Sequence, residues 1–316
     1  MSTPSREPVR VAAVQAAPVF LNAAKTTEKA CKVIEEASRN GARLVGFPEG
    51  FIPAHPAWLE LIPSVGDVAL GLFKELFHNA IEIDGPEIAR LREACRDCGI
   101  HAIIGINERR PATTGTLFNT QVFIGADGEL RHKHQKYVPT IGERLVHAPG
   151  RTGSKSAMQT EFGAVSGLIC GENSNPLAQY AVAVDYPVFH VASWPQHFSP
   201  GLDMQNALTV ASRGLAYSLK CFVLNCVAVT DDDAIAAYGQ DPEHRSFLLQ
   251  CKERGGTSII NPVGQIFAGP LGAGDGILYA DITPDDVIIP KHVHDVAGHY
   301  SRPDLFAHLF DEYQKD

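Results

Sequence analysis

At 316 residues, with 45% hydrophobic and 20% charged residues, the chain has the composition of a folded globular protein and excludes a disordered or membrane-embedded one. A net charge of −9 without any Lys/Arg stripe excludes a surface built to neutralise phosphates, so nucleic acid is not an expected partner. No basic-then-apolar leader opens the chain and no apolar run could span a bilayer; seven scattered cysteines read as reduced thiols, so a cytoplasmic protein is expected.

In chain order, strands and helices alternate. Val9 to Ala16 reads as a buried strand. Asn22 is placed to cap a helix whose apolar positions Ala24, Thr27, Ala30, Ile34 and Ala37 recur at helical spacing until Gly41. Leu44 to Phe47 is a second buried strand, stopped by Pro48-Glu49-Gly50. Pro86 to Cys98 reads as an amphipathic helix and His101 to Ile106 as a strand. Phe118 to Ile124 and Glu129 to His134 flank an Ala-Asp-Gly turn, a hairpin signal.

The second half repeats the alternation. A strand Val165 to Ile169 leads to a helix from about Pro176, then a strand Val188 to Ala192. A helix near Asp203 to Lys220 and a strand Phe222 to Val229 follow. Ser258 to Ile260 and Gln265 to Ala268 form a further hairpin across Asn261-Pro-Val-Gly264. With no repeat and no long linker, the expectation is one α/β domain over 1–316, with 291–316 as a C-terminal tail docked outside the main core.

Three reactive side chains stand at strand ends, where ligands gather in α/β sheets. Cys170 ends Val165-Ser-Gly-Leu-Ile and is followed by Gly171 and by Asn175-Pro176, a cap and first helical turn; a helix N-terminus near a sulfur favours thiolate. Glu49 follows a buried strand, where desolvation would raise its pKa and suit it to general-base work. Lys136 follows the Glu129–His134 strand, and a buried lysine there would need Glu49 or Glu143 as partner. Together these groups supply a nucleophile, a proton shuttle and a charge stabiliser.

Phe47-Pro48-Glu49, Lys136-Tyr-Val-Pro-Thr140 with Glu143-Arg144, and Cys170-Gly-Glu-Asn173 resemble the three signature blocks of the nitrilase superfamily, in its order and at similar separations. Asn175-Pro-Leu-Ala-Gln-Tyr-Ala181 and the stretch Lys291 to Asp304 are similar to its nitrilase branch. This resemblance, running from about Val9 to Phe310, implies a four-layer αββα sandwich and a Glu–Lys–Cys triad. It implies Cys170 as nucleophile, Glu49 as general base, Lys136 as general acid and stabiliser, and Glu143 as the further glutamate beside the lysine. It also implies hydrolysis of a small-molecule nitrile to the acid and ammonia, with an amidase or N-carbamoyl hydrolase as the alternative on the same triad. A homodimer or larger homo-oligomer is expected.

The chain departs from the pattern at Val146-His147-Ala148, where many nitrilases carry an aromatic residue and a Gly-Asp-Gly turn, and at Gly171, where many carry a bulky aromatic. Gly171 and the aromatics Phe51 and Trp194, with Trp58 and Phe198, are expected near the pocket mouth and leave room for an aryl or arylalkyl group. No metal or organic cofactor is expected. Cys95-Arg-Asp-Cys98 lacks a second ligand pair for zinc, His292, His294, Asp295 and His299 do not follow a ligating helical spacing, and Gly269 to Gly276 lacks a phosphate-loop lysine.

Overall fold

A computed structural model describes residues 5–313. The first half contributes β1 (Val9–Gln15), α1 (Ala23–Arg39), β2 (Leu44–Gly46), α2 (Asp67–Asn79), α3 (Pro86–Cys98), β3 (His101–Arg109), β4 (Leu117–Ile124) and β5 (Leu130–Gln135). The second half contributes β6 (Ala157–Thr160), β7 (Gly163–Ile169), α4 (Pro176–Ala183), β8 (Pro187–Trp194), α5 (Met204–Leu219) and β9 (Phe222–Val227). The remaining elements used below are α6 (Asp232–Tyr238), α7 (Pro242–Lys252), β10 (Ser258–Ile260), β11 (Ile266–Ala268) and β12 (Gly276–Ile282).

The strands form two six-stranded sheets, ordered β12-β1-β2-β3-β4-β5 and β11-β10-β9-β8-β7-β6. Strand periodicity divides each sheet between two cores. Val11, Ala13, Leu44 and Ile103 face Val165, Val191, Leu224 and Cys226 between the sheets. Their alternate neighbours Ala12, Val14, Val45 and Ile104 pack instead with Ala30, Ile34 and Leu91 of α1 and α3. On the other side Leu168, Ala192 and Val223 meet Ala178, Val182, Leu208 and Leu215 of α4 and α5. The result is helix, sheet, sheet, helix: the αββα sandwich.

Local chemistry explains the ends of these elements. The Asn22 side chain accepts from the Lys25 N–H at 3.0 Å and starts α1. The β4–β5 turn requires Gly128, with φ +77°, because a Cβ there would sit 2.5 Å from the Arg92 carbonyl oxygen. Strand β3 runs three residues past its expected end, since Asn107, Glu108 and Arg109 pair with Asn119, Phe118 and Leu117 of β4. Helices α2, α6 and α7 have no counterpart in the sequence reading. In α2 only Ala69 and Leu76 are buried, while the apolar Val68 and Leu70 are exposed, so no clean helical stripe marks it.

Sheet direction assembles the site. β1, β2 and β3 are mutually parallel, and β5 runs with them because β4 is antiparallel to both its neighbours. The segments after β2 and β5 therefore leave the first sheet at one edge. β7, β8 and β9 are parallel in the second sheet. The sheets touch at this edge: Ala16 bridges to Ala228, and the Glu49 N–H donates to the Trp194 carbonyl at 3.2 Å.

Candidate active site

Glu49, Lys136, Glu143 and Cys170 line one small cavity at that edge, with His55, Thr140, His197 and Phe198. The loop carrying Glu49 is held from two sides. Gly105 of β3 lets it close, since a Cβ there would lie 2.1 Å from the Pro48 carbonyl oxygen. Across the sheets, Gln121 donates to the Ser193 hydroxyl at 2.7 Å, and that hydroxyl donates to the Phe47 carbonyl at 2.8 Å.

The Lys136 ammonium bridges two carboxylates, 2.9 Å from Glu49 Oε1 and 2.6 Å from Glu143 Oε2, with all three side chains almost fully buried. The two glutamates are not equivalent. Glu143 also accepts from the Thr140 N–H at 2.9 Å, from Asn119 Nδ2 at 2.7 Å and from His147 Nδ1 at 3.0 Å. Burial alone would raise its pKa, but Lys136 and His147 outweigh that and hold it well below the usual carboxylate range. Glu49 shares Asn119 and Lys136 through Oε1, while its buried Oε2 has no partner among the described residues. Burial, only partly offset by Lys136, pushes Glu49 up to about 7. Glu49 is therefore the carboxylate that exchanges a proton near neutrality, and Glu143 the one that stays charged.

Burial opposes charge on Lys136 too, yet Glu49 and Glu143 raise its pKa well above the ordinary lysine value. The ammonium stays protonated. Burial also pushes the Cys170 thiol well above its usual range, and Glu49 adds to this against Lys136. The expected help does not come from α4, whose first amides bond to the Asn175 side chain; Cys170–Ser174 is a separate 3-10 turn, and the backbone N–H that favours the charged sulfur is that of Gly171. Cys170 rests as a thiol. It also adopts φ +51° in the left-handed region, which costs a non-glycine residue about 1–2 kcal/mol.

A larger cavity of about 370 Å³ opens from Cys170. Gly171, Trp194, Thr140, Ile141, Phe198, Leu202, Ala207 and Val210 line it, and Glu60, Ser174 and Asn206 supply its polar edge. A Cβ on Gly171 would meet only Thr140 Oγ1, at 3.8 Å, so the space beside it is open. Phe51 corrects the sequence reading. It is 1% exposed, packs on Phe47 at 5.6 Å between ring centroids, and lines neither cavity, because the loop after Glu49 turns inward under the first sheet. Trp58 is likewise buried, against Phe20 and Tyr238.

Sequence reasoning missed Asn119, Asn107, His55 and His147. The consecutive polar residues Asn119-Thr120-Gln121 inside an otherwise apolar strand were the available signal, since buried polar groups need partners. Glu49, His55 and Glu143 are near enough to ligate a cation together, and Lys136 already places an ammonium against both glutamates. In the tail, His294 and His299 stack edge-on against Tyr300, and Asp295 accepts from the Ala297 and Gly298 N–H groups.

A carboxylate, an ammonium and a thiol in one buried cavity can together attack a carbon–nitrogen bond. Residues 10–288 match the carbon-nitrogen hydrolase family, and the chain belongs to it. Relatives extend over nearly the whole chain and place it in the nitrilase branch. The aliphatic nitrilase of Rhodococcus rhodochrous is 37% identical, covering 96% of this chain and 82% of that protein. The arylacetonitrilase of Hypocrea virens is 34% identical over 94% and 90%. A nitrilase of Pseudomonas syringae pv. syringae is 34% identical over 97% and 90%. Among solved structures, an amidase from Nesterenkonia sp. shares the fold with a TM-score of 0.64 at 18% identity, covering 91% of this chain and 94% of that one.

Proposed function

We propose that this enzyme hydrolyses an apolar organic nitrile to the carboxylic acid and ammonia, with Cys170 as nucleophile. The observation that carries the reading is the Glu49–Lys136–Glu143 ion cluster sharing a buried cavity with Cys170. Glu49 takes the thiol proton as sulfur bonds to the nitrile carbon, and the nitrogen gains that proton to give a thioimidate. Water adds with Glu49 as base, ammonia leaves, and a second water cleaves the thioester. The balance is one nitrile and two waters to one acid and one ammonia.

Lys136 departs here from its expected role as general acid. Held as an ammonium by two carboxylates, it acts through charge, on the developing thiolate and nitrogen, while Glu49 carries the protons. Glu143 keeps Lys136 in place. Gly171 and Trp194 bound the substrate, and the apolar lining of the larger cavity favours an aryl or arylalkyl group over a charged one. Ammonia release from a panel of aliphatic, aromatic and arylacetonitriles, set against the matching amides, tests this. Turnover of amides alone would replace it with the amidase reading.

No helix among the described residues is long and apolar enough to cross a membrane. We place the enzyme in the cytoplasm, supported by seven unpaired cysteines. The chain is one domain over 1–316, of which 314–316 and 1–4 lie outside the described residues. Its tail from 291 docks on the outer helical layer: Lys291 donates to the Leu219 carbonyl at 2.9 Å, and Ser301 bonds Tyr180 at 2.8 Å. Exposed Leu177, Tyr180 and Tyr217 on α4 and α5 support a homo-oligomer, which sedimentation would read directly.

A further inference from the structure

We infer that His147 is a buried imidazolium: a positioning residue that locks Glu143 and gives the site a second positive charge beside Lys136. Asn107, near the end of β3, is a fully buried side chain. Its Nδ2 faces three carbonyl oxygens, those of Gly50 at 3.2 Å, Ile52 at 3.4 Å and Ala54 at 2.9 Å. Reversing the amide would aim an oxygen at three oxygens, so its orientation is fixed. The Asn107 Oδ1 consequently faces His147 Nε2, at 2.8 Å. An amide oxygen only accepts, so Nε2 carries a proton.

The other ring nitrogen meets the same condition. Nδ1 lies 3.0 Å from Glu143 Oε1, and Glu143 already receives hydrogen bonds from Lys136, Thr140 and Asn119. With so many donors the carboxyl is ionised, and Nδ1 must donate as well. Both nitrogens are protonated, and the ring is positive. The charged and titratable groups around it are Glu143 on its own segment, Lys136 and Glu49 across the ion cluster, and the His55 ring at 6.5 Å. His55 is neutral, pushed down to about 3 by burial.

With Glu49 ionised, as its role as base requires, Glu49 and Glu143 are negative and Lys136 and His147 positive, and the site is neutral around a neutral thiol. Without the imidazolium it would carry one net negative charge, opposing thiolate formation. His147 thus partly neutralises Glu143 and leaves the Lys136 ammonium available to the reacting sulfur and nitrogen. It lines neither cavity, so it acts through Glu143 and not by touching substrate.

The inference rests on Cys170 as nucleophile, but its test does not require nitrile turnover. Histidine-selective 15N NMR of the full-length enzyme, with the H147Q variant assigning the signal, is expected to show both His147 nitrogens protonated at neutral pH. A neutral tautomer there overturns the inference. Independently, iodoacetamide labelling of Cys170, followed by mass spectrometry of its peptide, is expected to slow about tenfold at fixed pH in H147Q. H147K, which retains a cation, is expected to recover most of that rate. Labelling of folded H147Q at the wild-type rate would count against the charge role. On a working nitrile, H147Q should lower kcat about ten- to a hundredfold with KM within about threefold. If no nitrile is turned over, the proposed reaction fails while the NMR and labelling results still judge His147.

Discussion

Two walls of one space follow different rules. On the inner wall, Glu49, Lys136 and Glu143 line the small cavity with Asn119, His147 and Asn107 behind them, all buried and joined by hydrogen bonds of 2.6 to 3.0 Å. On the outer wall, Ile141, Leu202 and Val210 are more than half exposed and make contacts any side chain of similar volume could replace. A buried charge without its partner is strongly destabilising, whereas an exposed apolar side chain is not. The chemistry is therefore rigid and the substrate range adjustable.

The largest expected effect lies at Cys170. Cys170→Ala is expected to remove ammonia release by at least about a thousandfold while leaving the melting temperature close to wild type. Full activity in that variant would end the nucleophile assignment. Next come the ion partners. Glu143→Leu leaves Lys136 short of a carboxylate and should cost about 3–5 kcal/mol in denaturant unfolding, besides most of kcat. A loss below about 1 kcal/mol would mean the inner wall is not rigid.

The pH profile sharpens the roles of the two glutamates. The base must be ionised to take the thiol proton, so activity should rise with pH through about 7 as Glu49 ionises. Its folded pKa lies above the unfolded one, so the same burial favours the folded state below the unfolded pKa. That contribution is lost as pH rises through about 7. A kcat/KM profile flat from pH 5 to 8 would contradict this assignment.

Smaller effects belong to the outer wall. Val210→Trp should narrow the cavity and shift kcat/KM between a short aliphatic and an arylalkyl nitrile by about ten- to a hundredfold, with Cys170 labelling unchanged. Smallest of all, Phe51→Leu should cost under about 2 kcal/mol of stability and leave KM for every nitrile within twofold. A substrate-selective change in that variant would return Phe51 to the pocket wall.

How much of this was legible beforehand depends on the kind of signal. The strands Val9–Gln15, Leu44–Gly46 and Gly163–Ile169 announce themselves by short apolar runs ended by proline, glycine or a reactive side chain. Cys170, Glu49 and Lys136 stand out by following such runs. Phe51 shows the limit, because an aromatic near a reactive residue reads the same whether it lines a pocket or fills a core. Helices α2 and α7 give no clear stripe because only two positions in each are buried, and α6, at seven residues, is too short to show a helical period.

The order of strands, their alternating faces and the reactive residues at their ends are local properties, written in spacing and residue type. Which glutamate keeps its charge, why the thiol waits for a base, and why His147 holds two protons depend on atoms brought together from β3, β4, the segment after β5 and the loop after β2. Those states arise from burial and from the number of donors around each oxygen, and both are set only when the two sheets close.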